Sequence, residues 1–119
     1  HGHPLGDDVL RAVVGVLREG LRAEDVLARW GGEEFAVLVR GVSQDNACIL
    51  GERLRREIEE MSLAKDTGEP LPVTLSVGIS LFPLEGDAAP PEQAGDRLIE
   101  QADAALYRAK RAGRNRVEI

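Results

Sequence analysis

The sequence predicts an α+β domain in which helices pack against a mainly antiparallel central sheet. Three observations favour this class. Three segments carry apolar residues at helical spacing, two short apolar runs flank a pair of glycines, and a later stretch alternates apolar with small residues. A chain of 119 residues suits one domain with one hydrophobic core, so residues 1–119 are treated as a single unit.

The first helix is predicted over a segment that carries Val9 and Leu17 on one apolar face. Asp7 or Asp8 is a suitable N-cap, because a short carboxylate side chain accepts hydrogen bonds from the free N–H groups of a first turn. Gly20 is a suitable end for this helix. The apolar face is broad enough to pack on a sheet.

A hairpin is predicted at Gly31 and Gly32, which separate two apolar runs and favour a tight turn with positive φ. Glu33 and Glu34 follow at once. Bare backbone beside carboxylates can bring N–H groups close to a phosphate and hold a hard cation next to it. The alternative is an ordinary acidic turn in solvent.

A second helix is predicted after Ser43 or Asp45, either of which can act as N-cap. Its apolar stripe includes Leu54 and Ile58, and most of the charges on its other face are expected to be solvated surface. The helix therefore offers one side to a core.

Residues 71–82 alternate and predict the longest strand, whose small residues permit close approach by a backbone, a helix or a ligand. A helical turn is expected to open near Pro91, and a third helix is predicted over residues 96–112. Gly113 suits the C′ position after that helix, and residues 114–119 predict a short terminal strand.

Composition narrows the function classes. The formal charge of −6, from 15 basic and 21 acidic residues, argues against a nonspecific nucleic-acid binder but allows a nucleotide held by a local basic cluster. The single cysteine, Cys48, excludes an internal disulfide. There is no signal peptide or apolar run long enough to span a bilayer, which predicts a cytoplasmic domain, even if its parent is membrane-anchored.

Five segments together resemble the GGDEF domain of diguanylate cyclases. Residues 31–35 read GGEEF, and residues 2–7 match the family's GHxxGD segment. Residues 74–79 resemble its central strand. Residues 102–110 match ADxALYxAK, and residues 113–117 match GRNRV. The segments follow the family's order over the whole chain.

The resemblance implies a fold like the palms of nucleotide cyclases and polymerases. It also implies that two GTP molecules condense to cyclic di-GMP and two pyrophosphates across a homodimer. Mg²⁺ or Mn²⁺ would activate the attacking 3′-OH and stabilise the leaving group. A fused sensory or receiver domain is expected in the parent protein.

The signature residues take roles from this resemblance. Glu33 corresponds to the carboxylate that binds metal and assists deprotonation of the 3′-OH. Glu34 occupies the next position, nearer the nucleotide and the metal shell. Gly31 and Gly32 let the backbone approach ribose and phosphates.

Three further residues match substrate-binding positions of the family. Asp7 corresponds to the carboxylate that accepts hydrogen bonds from the guanine edge. Lys110 and Arg114 correspond to residues that hold the GTP phosphates. The alternative for this pair is simple complementarity to the C-terminal end of a helix dipole.

A product-inhibition site is also implied. Arg22 and Asp25 form an RxxD sequence at the family's usual offset before the signature, where they would grip cyclic di-GMP. Arg53 stands where many members place another arginine of this site, although a solvated helix arginine is the alternative. Ile49 replaces a basic residue that some members carry.

The family usually begins with a strand that bears a DxDxFKxxND-type segment, and residues 1–119 lack it. We therefore expect a GGDEF domain truncated at its N-terminus and inactive as an isolated fragment. The leading hypothesis is a diguanylate cyclase. The alternatives are a catalytically silent module that senses cyclic di-GMP or GTP, and a purely structural regulatory domain.

Overall fold

A computed structural model describes residues 2–31, 34–61, 63–64, 67–82 and 91–119. In these ranges three long helices alternate with short strands, so the predicted α+β class is confirmed. The elements are α1 (Gly2–Gly20), β1 (Val26–Arg29), β2 (Phe35–Leu38), α2 (Gln44–Glu59), β3 (Val77–Gly78), a 3₁₀ turn (Pro91–Gln93), α3 (Ala94–Arg111) and β4 (Val117–Glu118).

Helix α1 begins earlier than predicted. It starts at Gly2, so Asp7 and Asp8 lie inside the helix and neither is its N-cap. Pro4 is compatible with this early start, since the N–H groups of a first turn have no partner within the helix. The helix ends at Gly20, as predicted.

The main core lies between α1 and α2. Val13 and Leu17 of α1 pack with Leu54 and Ile58 of α2, and Ile58 is 0% exposed. Each such side chain contributes about 1.5–3 kcal/mol when fully buried. Ser43 caps α2 by accepting a hydrogen bond from the N–H of Asn46 at 3.1 Å, which confirms one of the two predicted caps.

The described strands form two small sheets instead of one larger sheet. Strands β1 and β2 pair antiparallel, with Val26 opposite Leu38 and Arg29 opposite Phe35, which confirms the predicted hairpin. Strands β3 and β4 pair in parallel. The expectation of a mainly antiparallel arrangement is confirmed by the hairpin, and the short parallel pair is a further feature that it did not include.

The predicted strand over residues 71–82 is much longer than the observed one. Only Val77 and Gly78 are in β3, and they face Val117 and Glu118 of β4. A strand needs a neighbour to satisfy its N–H and C=O groups, and β4 offers two residues. The terminal strand predicted over residues 114–119 shortens for the same reason.

Helix α3 packs directly on the backbone of β3. A Cβ atom added at Gly78 would lie 2.3 Å from the carbonyl oxygen of Ala102 and 2.3 Å from the nitrogen of Leu106. Ala105 and Ala109 of α3 are 0% exposed. The small residues of the strand therefore admit a helix, which was one of the three predicted possibilities.

Candidate functional site

The hairpin turn is closed by one carbonyl group. The backbone N–H groups of Trp30 and Gly31 both donate to the Glu34 carbonyl oxygen, at 2.7 and 3.2 Å. Gly31 does not adopt the positive φ that was expected of it. Gly32 and Glu33 lie outside the described residues, so the geometry here is that of Gly31 and Glu34.

One ion pair connects this turn to the last turn of α3. Lys110 Nζ lies 3.4 Å from Glu34 Oε2, and the two side chains are 38% and 42% exposed. The residues are 76 positions apart in sequence. Folding thus brings together a residue predicted to be catalytic, Glu34, and one predicted to bind substrate, Lys110, at a place open to solvent.

The chain leaves α3 through a Schellman turn, in which two N–H groups beyond the helix bond back to its last carbonyls. Arg114 N donates to Ala109 O at 2.9 Å, and Gly113 N donates to Lys110 O at 3.4 Å. Gly113 has φ of 128°, which confirms its predicted C′ position. Arg114 is thereby held just beyond the turn that carries Lys110, with an exposed side chain.

Two consecutive residues with side chains then adopt left-handed backbone. Arg114 has φ of 63° and Asn115 has φ of 49°. This region is uncommon for residues other than glycine, and Asn tolerates it better than most. No role of its own was predicted for Asn115, although an Asn soon after a helix-ending Gly is a recognisable signal for such a turn.

Asn115 is bonded on three sides. Its backbone N–H donates to Ser76 Oγ at 3.1 Å, and its side-chain oxygen accepts from Arg55 Nη1 at 2.8 Å. Its side-chain nitrogen donates to the Glu59 carboxylate. The turn after α3 is therefore tied to α2 and to the segment before β3.

Arg55 is part of a charged network at this junction. Its Nε and Nη2 form a fork with the Glu52 carboxylate at 2.8 and 2.6 Å, and its side chain is 13% exposed. Most of the charged face of α2 was expected to be solvated surface, and Arg55 is an exception. Arg55 is less exposed because it contacts Asn115, which lies 60 positions away in the sequence.

The pKa values in this network move in consistent directions. The hydrogen bond from Arg55 holds the pKa of Glu52 below its ordinary value. The hydrogen bond from Asn115, supported by Arg55, lowers the pKa of Glu59. The bond to Glu52 raises the pKa of Arg55. All three groups are therefore charged near neutral pH.

The residues predicted for an inhibitory site line one cleft. Arg22, Asp25 and Arg53 surround a space of about 270 Å³ together with Gly20, Val39, Gly41, Val42, Asn46 and Leu50. The Asp25 carboxylate accepts from the backbone N–H of Arg22 at 2.8 Å, and its side chain is 3% exposed. Arg22 Nη2 also donates to the Arg40 carbonyl oxygen at 3.0 Å.

Arg53 joins α2 to the end of α1. Its Nη2 donates to the carbonyl oxygen of Gly20, while its side chain remains 53% exposed. Because the last carbonyls of a helix lack partners within it, the contact also satisfies the end of α1. The alternative of a purely solvated helix arginine is therefore incomplete, since Arg53 has a defined place in the cleft.

Asp7 is exposed on α1. Its side chain makes no hydrogen bond or ion pair with another residue in the described ranges. Those ranges also contain no group of three or more His, Cys, Asp or Glu side chains that could hold a metal ion. Of the two signature carboxylates, Glu34 is described, and it offers oxygen donors of the type that Mg²⁺ prefers.

Residues 1–116 match the protein family described as "Diguanylate cyclase, GGDEF domain". The chain belongs to the GGDEF family. The family assignment predicted from five short segments is therefore confirmed over nearly the whole chain.

Individual GGDEF relatives agree with this assignment. The chain is 48% identical over 118 residues to diguanylate cyclase DgcP of Pseudomonas aeruginosa, covering 99% of the chain and 16% of DgcP. It superposes with a TM-score of 0.81, at 33% identity, on the DgcB GGDEF domain of Caulobacter crescentus, solved in complex with c-di-GMP; the match covers 98% of this chain and 66% of that one.

A third relative shares the GGEEF form of the signature. The active GGEEF domain of a Vibrio cholerae diguanylate cyclase gives a TM-score of 0.75 at 25% identity, covering 100% of this chain and 70% of that one. This GGDEF chain spans about a sixth of the length of DgcP. In the described ranges, no helix combines the length and apolar character needed to cross a bilayer.

Proposed function

We propose that this chain is the catalytic domain of a diguanylate cyclase. Two GTP molecules would condense to cyclic di-GMP and two pyrophosphates, with one GTP on each domain of a homodimer. The observation that carries the proposal is the contact between Glu34 and Lys110, which joins the signature turn to the basic end of α3. Relatives named as diguanylate cyclases support the same reaction class.

The basic end of α3 is suited to the triphosphate. Lys110 and Arg114 provide an ammonium and a guanidinium group close to the same turn, and charge-assisted bonds to phosphate are strong. Bound phosphate oxygens would replace the Glu34 carboxylate as the partner of Lys110. Glu34 would then be released toward the ribose and the reacting phosphate.

The reaction itself requires positioning and charge neutralisation. Each ribose 3′-oxygen forms a bond to the α-phosphorus held by the opposite domain, while the bond from that phosphorus to pyrophosphate breaks. Glu33 would accept the 3′-OH proton. Gly31 and Gly32 allow close approach of the backbone to the nucleotide, and Asp7 would accept hydrogen bonds from the guanine N1–H and N2–H₂ groups.

A divalent cation fits the donor chemistry of the signature turn. Glu33 and Glu34 would hold Mg²⁺ or Mn²⁺ together with the phosphate oxygens of GTP. When bound, such an ion withdraws charge from the phosphates and lowers the pKa of the attacking hydroxyl. Because the phosphate oxygens of GTP would supply part of its coordination, its affinity would depend strongly on the substrate.

The cleft at Arg22, Asp25 and Arg53 is proposed to bind the product. Two guanidinium groups and a carboxylate offer partners for the phosphates and guanine edges of cyclic di-GMP. The cleft lies at the base of the hairpin that carries the signature turn. Product bound there would restrain the hairpin and so inhibit turnover.

The wider setting is part of the same proposal. The active state would be a cytoplasmic homodimer under the control of a fused sensory or receiver domain, with no nucleic-acid partner. The acidic charge of the chain is consistent with the last point.

An assay of the full-length protein with GTP and Mg²⁺ tests the proposal. Pyrophosphate and cyclic di-GMP should appear, and Glu33→Ala should abolish both. Glu92→Ala, which removes an exposed carboxylate from the 3₁₀ turn, is the matched control and should retain activity. Binding of cyclic di-GMP without any turnover of GTP would instead identify a silent sensor.

A further inference from the structure

The turn between α3 and β4 holds an unusual backbone against a rigid support. Arg114 and Asn115 both occupy the left-handed region, and their side chains give them less freedom there than glycine has. Such a conformation persists only where surrounding contacts stabilise it. The contacts that stabilise this turn therefore indicate its role.

The supporting contacts converge on Asn115, and we call Asn115, Arg55, Glu59 and Ser76 the Asn115 anchor. The Asn115 side chain accepts from Arg55 at 2.8 Å and donates to Glu59, while its backbone N–H donates to Ser76 Oγ at 3.1 Å. The side-chain oxygen, the side-chain nitrogen and the backbone N–H of Asn115 therefore each have a partner outside the turn.

Arg55 makes this anchor stiff. Its guanidinium group is already oriented by the two bonds to Glu52, at 2.8 and 2.6 Å. Its side chain is 13% exposed, and Leu54 beside it on α2 belongs to the buried core. A planar guanidinium held on three sides has little freedom to rotate, so the position of Asn115 is set by the core helix.

The anchor acts on the neighbouring residues through the backbone. Arg114 immediately precedes Asn115, and its N–H is bonded to Ala109 O at 2.9 Å. The Gly113 N–H bonds to the Lys110 carbonyl oxygen at 3.4 Å. Arg114 is therefore fixed on one side by the end of α3 and on the other by Asn115, while its own side chain is exposed.

We propose that the Asn115 anchor is a positioning device that holds the Arg114 guanidinium beside Lys110 for recognition of a nucleotide triphosphate. Asn115 and Arg55 are positioning residues in this proposal and do not touch the substrate. The inference rests on the proposed function, since it assigns the phosphates of GTP as the ligand of Arg114. According to this proposal, the position of Arg114 depends on a residue of α2, Arg55.

The decisive variant is Asn115→Gly in the full-length protein. Glycine keeps the left-handed backbone accessible and removes the side-chain contacts with Arg55 and Glu59. Displacing a binding group by about 1 Å can cost about 100-fold, so we expect kcat/KM for GTP to fall at least about tenfold. Most of the fall should appear in KM, and the inhibition constant of pyrophosphate should rise with it.

Guanosine separates phosphate recognition from general damage. It lacks phosphates, so its inhibition constant should stay unchanged in Asn115→Gly. Arg55→Lys is a second variant outside the turn, and it should show the same selective loss because an ammonium group cannot bond Glu52 as a fork and also reach Asn115. Both variants should unfold cooperatively in urea.

Ser80→Ala is the matched control for lost stability. It removes a side-chain hydrogen bond of 2.6 Å to the Leu98 carbonyl, far from the end of α3. Its KM for GTP should equal that of the wild type. If Asn115→Gly and Arg55→Lys also retain the wild-type KM while turnover proceeds, the anchor is only a backbone support and the inference is wrong. A wild-type protein that neither binds nor turns over GTP would overturn the proposed function as well.

Discussion

The ion pair between Glu34 and Lys110 is exposed on both of its members. The side chain of Lys110 is 38% exposed and that of Glu34 is 42% exposed, and Lys110 Nζ lies 3.4 Å from Glu34 Oε2. Exposed pairs of this kind contribute about 0.2–1 kcal/mol to stability. Loss of this pair would therefore cost the fold little, as the proposed replacement of Glu34 by phosphate oxygens requires.

Lys110→Met should separate these two contributions. The free energy of unfolding should change by less than about 1 kcal/mol, because the lost pair is solvent-exposed. In contrast, kcat/KM for GTP should fall about 100-fold, since a preorganised cation at a transferring phosphate is removed. Urea unfolding and pyrophosphate release measure the two effects.

Arg111→Met is the control for that prediction. Arg111 is the next residue on α3, and it bonds Tyr107 instead of the signature turn. Its loss should leave kcat/KM near the wild-type value. Equal losses in the two variants would point to a general effect of positive charge on α3.

Arg22→Ala should weaken product inhibition. The Arg22 side chain is 55% exposed, and the backbone bond from Arg22 to Asp25 survives the substitution, so the fold should persist. A bond to a charged group contributes about 1.5–3 kcal/mol, so the inhibitory concentration of cyclic di-GMP should rise about tenfold or more. Steady-state product should rise accordingly.

Product titrations of Arg22→Ala and Arg18→Ala provide the comparison. Arg18 is an exposed arginine near the end of α1 and lies outside the residues that line the cleft. Arg18→Ala should leave inhibition by cyclic di-GMP unchanged. Unaltered inhibition in Arg22→Ala would remove the RxxD sequence from the regulatory site.

At the scale of elements, the contact between β3 and α3 leaves no room for a side chain. A Cβ atom at Gly78 would meet backbone atoms of α3 at 2.3 Å, and backbone cannot rotate aside as a side chain can. The two elements can approach this closely because Ala105 and Ala109 line the buried face of α3. Their packing is therefore sensitive to a single methyl group.

Gly78→Ala should destabilise the domain by about 3 kcal/mol or more, near the upper end of typical overpacking costs. Gly95→Ala, within α3, is the matched control, because its added methyl group would meet no atom within 4 Å. It should stabilise the helix slightly, by less than the ~0.5–1 kcal/mol expected in the middle of a helix, because Gly95 lies in the first turn of α3. Urea midpoints of the two variants should move in opposite directions.

The junction of α2 with the turn after α3 should confer acid sensitivity. The folded pKa of Glu59 is lowered, chiefly by Asn115, so its contribution to stability is complete above the unfolded pKa. That contribution is lost as pH falls through the lowered folded value. In urea unfolding between pH 7 and pH 3, Glu59→Gln should therefore lose less stability on acidification than the wild type.

Glu100→Gln tests whether any carboxylate would give the same result. Glu100 is exposed on α3 and pairs with Arg97, one helical turn away. Its acid limb should follow that of the wild type. Identical limbs for Glu59→Gln and the wild type would show that the junction does not control the response.

Local sequence patterns predicted the helices and the hairpin of this molecule, because the contacts within these elements join residues that are close in sequence. The strand over residues 71–82 was too long because its pairing depends on β4, whose extent no local pattern states. Apolar and small residues do alternate over residues 71–82, but β4 pairs with only two of these residues, Val77 and Gly78.

The candidate site likewise contains one contact that the sequence could indicate and one that it could not. The pairing of Glu34 with Lys110 was accessible through family resemblance, since both residues stand in recognisable segments. The Asn115 anchor was not, because the contact between Arg55 and Asn115 joins positions 60 apart, and an Asn after Gly113 signals a turn without stating which helix it contacts. Charged side chains on an amphipathic helix look alike until the fold selects one.

The parallel pairing of β3 with β4 has a consequence for kinetics. Val77 N–H bonds to Arg116 O and Ile79 N–H bonds to Glu118 O, each at 2.9 Å, with all of α3 between them along the chain. A large loop must close before the first of these bonds forms, and the entropy of that closure slows folding. The hairpin and the α1–α2 core join residues that are closer in sequence, so we expect the turn that carries Arg114 to reach its place later in folding.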